Sequence, residues 1–376
     1  MRALILVTLL IFISSLEVPG PEEVKSFVKS TINKKVRIRT INVWAIKQNY
    51  KHDLVPSVST YLFEDLDLVE NIAPEGNPNR PGDKHEKKYI TVHDTGDFSF
   101  GAQTWSQAVH DAKIGKSIYN NSFQYVVGND GYYHNIPDDE TAYHAGDGRT
   151  IDSLFKEFPT GVKGDKLKPH VSISEDGYYT IEGEKTEVLA PTDSEGNILT
   201  EDYFNDLGIY TTIKDGMYYI GATWYSPTYN KIGNYGGNFN SIGIESCINT
   251  GSDIYFTWQR LAKLVAKLMD DNNFTIDQVV QHHYFSGKDC PQTMRTEGYW
   301  QHFLSLVKVE YQMLQYIKAG YKFALSPITT NYVNSKGRLI YNEKFESYVA
   351  YFTVKITAPT GEVYSPSFST SVIPRN

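Results

Sequence analysis

The chain has 376 residues, of which 40% are hydrophobic and 21% charged, and a formal net charge of −8. That balance excludes intrinsic disorder, and the length suits one large domain with a smaller one attached. A negative chain with no basic stripe also argues against a nucleic-acid binder.

Residues 1–20 read as an export signal. One positive charge at Arg2 precedes an apolar run over residues 3–13 and the pair Ser14-Ser15. That run is too short to span a bilayer but matches a signal-peptide core. No small-x-small pair leads cleanly into Pro21, so a buried helix or an uncleaved anchor stays open. The expectation is a secreted or wall-associated protein with no stable membrane span. Residues 21–75 form an N-terminal segment. It carries Lys25, Lys29, Lys34, Lys35, Arg37, Arg39, Lys47 and Lys51 against Glu22 and Glu23, then turns acidic. Such a basic arm suits anionic wall polymers, although a solvated face is the commoner meaning.

The turn-rich run Gly76-Asn77-Pro78-Asn79-Arg80-Pro81-Gly82 opens a main domain expected over residues 76–318. Its first strand is predicted over 88–93. A helix follows over 103–113, with Trp105, Ala108, Val109 and Ala112 on one side. A strand over 123–128 closes in Asn129-Asp130-Gly131, a hairpin turn that needs positive-φ residues. Ser241-Ile242-Gly243-Ile244-Glu245 reads as a buried strand. The clearest helix covers 258–273, with Leu261, Leu264, Val265 and Leu268 at helical spacing. Another covers 298–317, carrying Trp300, Phe303, Leu304, Val307, Tyr311 and Leu314. Strands alternating with helices predict an α/β fold, a central mixed sheet flanked by helices. About residues 150–235 differ, since Tyr, Ile and Thr runs between Asp-Gly and Glu-Gly turns predict a β-rich insertion. Residues 319–376 repeat that character and predict a small C-terminal β module, with strands over 348–357 and 365–372. The 28 tyrosines against 5 tryptophans suit carbohydrate contact, though solvent-facing strands alone account for them.

The chemistry concentrates in Gln281-His282-His283-Tyr284-Phe285-Ser286-Gly287-Lys288-Asp289-Cys290-Pro291. A distant imidazole, His93, stands where an apolar strand gives way to Asp94-Thr95-Gly96. Two histidines and a thiolate make a three-ligand zinc site with its fourth position open. A free thiol titrates near ~8.5, and a metal with a neighbouring cation, here Lys288, lowers that. His282 and His283 are rivals, because adjacent side chains of an extended segment point to opposite faces. Cys247 follows an apolar strand and reads as a small buried residue. A Cys247–Cys290 disulfide is the alternative and would consume a ligand. Glu245 ends a buried strand, where desolvation raises the pKa of a carboxylate. These residues together read as a zinc hydrolase.

Four motifs in order carry a resemblance: Val92-His93, Tyr143-His144-Ala145-Gly146-Asp147-Gly148, Ser241 to Glu245, and His282 with Gly287-Lys288-Asp289-Cys290-Pro291. Each is weak alone; in this order they resemble type-2 N-acetylmuramoyl-L-alanine amidases. That family includes phage lysozyme-like amidases, bacterial autolysins and animal peptidoglycan recognition proteins. The resemblance covers residues 76–318, interrupted by the insertion, and implies a peptidoglycan-recognition-protein-like fold. It implies zinc as cofactor, peptidoglycan as partner, and hydrolysis of the amide between N-acetylmuramic acid and L-alanine. The family's ligand histidine sits eight residues before the cysteine, which selects His282, with His93 and Cys290 as the other ligands. Glu245 is then the general acid/base, Lys288 the oxyanion stabiliser, and His144 a residue lining the glycan-peptide groove. One departure stands out. Phage relatives carry a tyrosine where this chain has Phe123, and Tyr125, two residues along, is expected on the same strand face nearly ~7 Å further on.

Two rival readings remain at this level. A non-catalytic peptidoglycan-binding module commonly lacks the cysteine, and this chain has Cys290. A cysteine hydrolase would use Cys290 with a histidine base and would survive removal of metal. His110 reads as structural, and Arg80 and Asn240 as residues bordering the cleft.

Overall fold

The computed structural model describes residues 18–45, 48–113, 121–146, 158–166, 169–190, 211–220, 236–286, 288–296, 298–341 and 346–375. Of residues 1–20, expected to be an export signal, only 18–20 are among the described residues, and the apolar run over 3–13 lies outside them.

The first element among the described residues is helix α1 (Pro21–Thr31), with Pro21 in the first turn, Glu22 and Glu23 near the positive end of its dipole and Lys29 near the negative end. Strands β1 (Lys35–Arg37), β2 (Arg39–Ala45), β3 (Gln48–Leu54) and β4 (Leu68–Glu70) follow. Next come β5 (Tyr89–Asp94), helix α2 (Ala102–His110), and the hairpin β6 (Tyr125–Gly128) and β7 (Gly131–His134). The helix expected over 103–113 thus ends three residues early.

The expected β-rich insertion contains β8 (Phe158–Lys163), β9 (Val171–Ile173), β10 (Tyr178–Ile181), β11 (Glu184–Leu189), β12 (Thr211–Lys214) and β13 (Met217–Ile220). They form two three-stranded antiparallel sheets, in the orders β11-β10-β9 and β12-β13-β8. The short helix α3 (Gly237–Asn240) then leads into β14 (Ser241–Ser246) and the long helix α4 (Ile254–Asn272). Beyond them lie β15 (Val279–Gln281), α5 (His283–Ser286), α6 (Gln292–Thr296) and α7 (Trp300–Lys318). The chain ends in β16 (Lys322–Pro327), β17 (Tyr348–Thr357), β18 (Val363–Tyr364) and β19 (Ser367–Ile373).

The central sheet has six strands in the order β15-β5-β14-β6-β7-β4. Its first four strands run parallel, the β6–β7 hairpin is antiparallel, and β4 joins parallel to β7. The expected mixed α/β architecture is therefore present. Period-two alternation splits the parallel strands into two faces. Ile90, Val92, Ile242, Ile244, Tyr125 and Val127 pack against Leu261, Leu264, Val265 and Leu268 of α4 in the main core. Thr91, His93, Gly243 and Glu245 occupy the alternate positions, on the opposite face.

The turn of the β6–β7 hairpin organises two helix starts. The Asp130 carboxylate accepts hydrogen bonds from the N–H groups of Ala102 (2.9 Å) and Gln103 (3.0 Å), capping α2. Asn129 exchanges two hydrogen bonds with the backbone of Asp253, at 2.8 and 2.9 Å. Asp253 in turn caps α4 through Tyr255 and Phe256. Each cap satisfies helix N–H groups that have no partner inside the helix. Gly128 leaves room for this turn: a Cβ there would meet Asp130 Oδ1 at 2.5 Å. Only Gly131 of the expected turn residues has a positive φ.

A second core joins the first and last described elements. β1 pairs in parallel with β19, and Val24, Val28, Phe352, Val354 and Ile356 pack in one cluster with Met313 and Tyr316 of α7. On α7 the buried residues are Phe303, Leu306, Val307, Glu310, Met313 and Tyr316, a stripe rotated from the expected one. Glu310 is the reason the apolar pattern misled. It lies inside the protein, paired with Lys263 Nζ at 2.8 Å and accepting from the Leu62 N–H at 2.7 Å.

Candidate metal centre

Strand register assembles the centre from distant parts of the sequence. In the parallel β5–β14 pairing Glu245 lies opposite His93 and Gly243 opposite Thr91. On the other side of β5, Gln281 of β15 lies opposite Val92. The next residue, His282, donates its N–H to Val92 O at 3.3 Å, which delivers its ring beside His93. The chain then makes the single turn of α5 and doubles back, and the His283 N–H donates to Cys290 O at 3.2 Å. That return places the Cys290 thiol at the same point, where the Asp94 N–H donates to Sγ at 3.4 Å.

His93 Nδ1 stands 3.1 Å from His282 Nδ1 and 3.7 Å from Cys290 Sγ. All three side chains are buried, and their donor atoms lie within 4.8 Å of one another, a group that can hold a metal ion. His283 opens α5 and is outside this group, so the structure separates the two rivals that spacing alone leaves open. Both cysteines are free and buried, with Cys247 packed beside Phe123, Val126 and Ala142. The alternative disulfide does not form.

Burial sets the protonation states. Desolvation, reinforced by the neighbouring imidazoles and Lys288, holds His93 and His282 well below the usual histidine range. Both rings are therefore neutral near pH 7, with lone pairs available. Desolvation pushes the Cys290 thiol up, against the pull of Lys288. Glu245 Oε1 lies 3.9 Å from His93 Nδ1, and Oε2 is buried without a hydrogen-bond partner. Burial pushes Glu245 up to about 8, opposed by Lys288 and reinforced by Asp94. Lys288 is partly buried between α5 and Cys290, and its charge is felt at His93, His282, Glu245 and Cys290.

His144 stands directly against His93. Its Nδ1 is 2.9 Å from His93 Nε2, and the residue is 9% exposed. Sequence reasoning also passed over Asp94. This half-buried carboxylate accepts from Ser246 Oγ and from the Thr293 N–H, both at 2.7 Å, tying the end of β5 to the start of α6. Its position beside His93 at a strand end was the available signal. Phe123 and Tyr125 do not share a face. Phe123 precedes β6 and packs with the α2 cluster, whereas Tyr125 joins the α4 core and stacks on His134 at 4.3 Å. Arg80 is held by Glu140 at 2.7 and 2.8 Å and Asn240 by Gly236 O at 2.6 Å, both structural contacts. His110 is paired with Asp111 at the surface.

Known proteins similar to this chain are N-acetylmuramoyl-L-alanine amidases by name. N-acetylmuramoyl-L-alanine amidase CwlH of Bacillus subtilis (strain 168) is 23% identical over 238 residues, covering 63% of this chain and 60% of that protein. N-acetylmuramoyl-L-alanine amidase XlyA of the same organism is 22% identical over 229 residues, covering 61% of this chain and 48% of that protein. The chain thus spans about half to three fifths of the length of these curated relatives. Among solved structures, a mutant endolysin from Bacillus subtilis aligns with a TM-score of 0.38 at 20% identity, covering 65% of this chain and 99% of that one. The family model for N-acetylmuramoyl-L-alanine amidase matches residues 83–293, which contain every residue of the centre described above. With more than half of its length matched, the chain belongs to the N-acetylmuramoyl-L-alanine amidase family.

Proposed function

We propose that this chain hydrolyses the amide bond between N-acetylmuramic acid and L-alanine in peptidoglycan, using a zinc ion held by His93, His282 and Cys290. The spacing of the donor atoms carries the reading. Around a tetrahedral zinc, two nitrogen ligands stand about 3.3 Å apart, and a nitrogen and a sulfur about 3.6 Å. The separations here are 3.1 Å and 3.7 Å. Two neutral imidazoles and a cysteine sulfur, ligating as thiolate, are also the donor set that zinc favours. When bound, zinc supplies Lewis acidity, polarising a carbonyl and lowering the pKa of a water.

The chain's own residues divide the remaining work. Glu245, whose Oε2 has no hydrogen-bond partner, takes a proton from the attacking water when ionised and returns it to the departing amine. Lys288 brings positive charge to the centre and stabilises the oxyanion that forms as the carbonyl is attacked. Phe123 has no hydroxyl to share this proton work, which leaves it to Glu245. Burial raises the Cys290 thiol, the opposite of what a free nucleophilic thiolate needs. Its Sγ converges instead with two imidazole nitrogens as one of three donors, which favours ligation over a cysteine-hydrolase reading. The presence of Cys290 likewise favours turnover over a binding module. Among the described residues no helix is long and apolar enough to cross a membrane. The proposed substrate places the working protein outside the cell membrane, at the wall.

Mass spectrometry of digested peptidoglycan tests the reaction. Cleavage at the proposed bond yields stem peptides with a free N-terminal L-alanine and leaves the glycan strands unbroken. New reducing sugar ends, or cuts within the stem peptide, would contradict it.

A further inference from the structure

We propose that His144 is a positioning residue: it accepts a hydrogen bond from His93 Nε2–H and so fixes His93 with its Nδ1 lone pair turned toward His282 and Cys290. The inference rests on the metal reading above and extends it to a residue outside the ligand set. A neutral imidazole carries one N–H, so whichever ring nitrogen donates, the other is left as an acceptor or ligand. His93 uses Nδ1 toward the cluster and Nε2 toward His144, with the two rings at 89° and their centroids 5.0 Å apart. Histidine ligands ordinarily give their second N–H to a carboxylate, a carbonyl or water. Here the acceptor is another imidazole, His144 Nδ1, at 2.9 Å.

The surroundings are built to hold that acceptor. Asn238 Oδ1 accepts from the N–H groups of both His144 (2.8 Å) and Ala145 (2.6 Å), and the Asn238 N–H donates to Ala145 O at 3.1 Å. This fixes the backbone from which the ring hangs. Beneath the ring lies Gly243, where a Cβ would stand 2.6 to 2.7 Å from three ring atoms of His144. Real carbon atoms do not approach so closely, so any side chain at 243 displaces the ring. Gln124 Oε1 accepts the Gly243 N–H at 2.7 Å and keeps this stretch of β14 in place. Two glycine-compatible contacts, ring on backbone and nitrogen on nitrogen, therefore converge on one outcome, the orientation of His93.

The test compares wild type with His144→Ala, His144→Asn and Gly243→Ala. Zinc affinity is read by competition with a chromophoric chelator, and the His93 tautomer by 15N shifts in metal-free protein. Loss of an orienting partner of this kind typically weakens metal binding about 10- to 100-fold. We expect that loss in His144→Ala and Gly243→Ala. His144→Asn, whose Oδ1 can accept in place of Nδ1, should stay close to wild type. Metal-free wild type should show His93 protonated at Nε2, and His144→Ala should show a mixture of tautomers. Unchanged zinc affinity in a folded His144→Ala or Gly243→Ala protein overturns the inference, as does a wild-type His93 protonated at Nδ1. If wild type itself binds no zinc, the metal reading fails, and the 15N measurement still decides the hydrogen bond.

Discussion

Glu245 and His93 are register partners on neighbouring parallel strands, and Glu245 Oε1 lies 3.9 Å from His93 Nδ1. The same pairing that builds the sheet thus sets a carboxylate beside the cluster without making it one of the three donors. Glu245→Gln keeps the shape and removes the exchangeable proton. It should retain metal at the wild-type level while kcat falls about 10²- to 10⁴-fold, the usual contribution of general acid–base catalysis. Metal analysis and stem-peptide release, measured on the same sample, check both halves.

The two adjacent histidines should behave differently. His282→Ala removes a donor from the cluster and should abolish both tight metal binding and turnover. His283→Ala removes a ring that lies outside it and should keep both. Equal losses in the two variants would show that the doublet acts as a unit, contrary to the geometry.

Asp130 caps α2 from 28 residues further along the chain than Ala102, so its removal tests the fold apart from the centre. Asp130→Ala should cost about 0.5–2 kcal/mol, the range for a lost helix cap. Urea unfolding gives this value, and zinc affinity of the folded variant should not move.

His134 makes stability depend on pH. Burial lowers its pKa, but Asp138 and Glu70 outweigh burial and the net shift is upward. A raised folded pKa means that this contribution is fully present below the unfolded value, about 6.5. It is lost as pH rises through the higher folded value. The stability difference between wild type and His134→Gln should therefore be larger at pH 5.5 than at pH 8.5, by chemical denaturation at both. A difference that grows with pH would reverse the assigned sign.

Much of this molecule was legible in its sequence because the informative patterns are local. Strand β17 runs over the residues its alternation predicts, and the His282–Cys290 spacing places both donors on one returning loop. What escaped depends on partners far away in the chain. No local feature of Lys35–Arg37 announces that it pairs with the last strand. Tyr125 was assigned to the wrong face because Phe123 lies outside the strand, so counting by twos from it starts on irregular backbone. Glu310 interrupts an apolar stripe yet is buried, since Lys263 and the Leu62 N–H satisfy its carboxylate. His144 gave no sign that its partner would be a histidine 51 residues earlier.

Metal stoichiometry set against turnover bears most directly on the whole account. Protein stripped by chelation, then titrated with zinc, should regain peptide release in step with binding and saturate at about one ion per chain. The His93→Ala and Cys290→Ser proteins should neither bind tightly nor recover. Full stem-peptide release by the stripped wild-type chain would mean that the joined imidazoles and sulfur serve some other purpose.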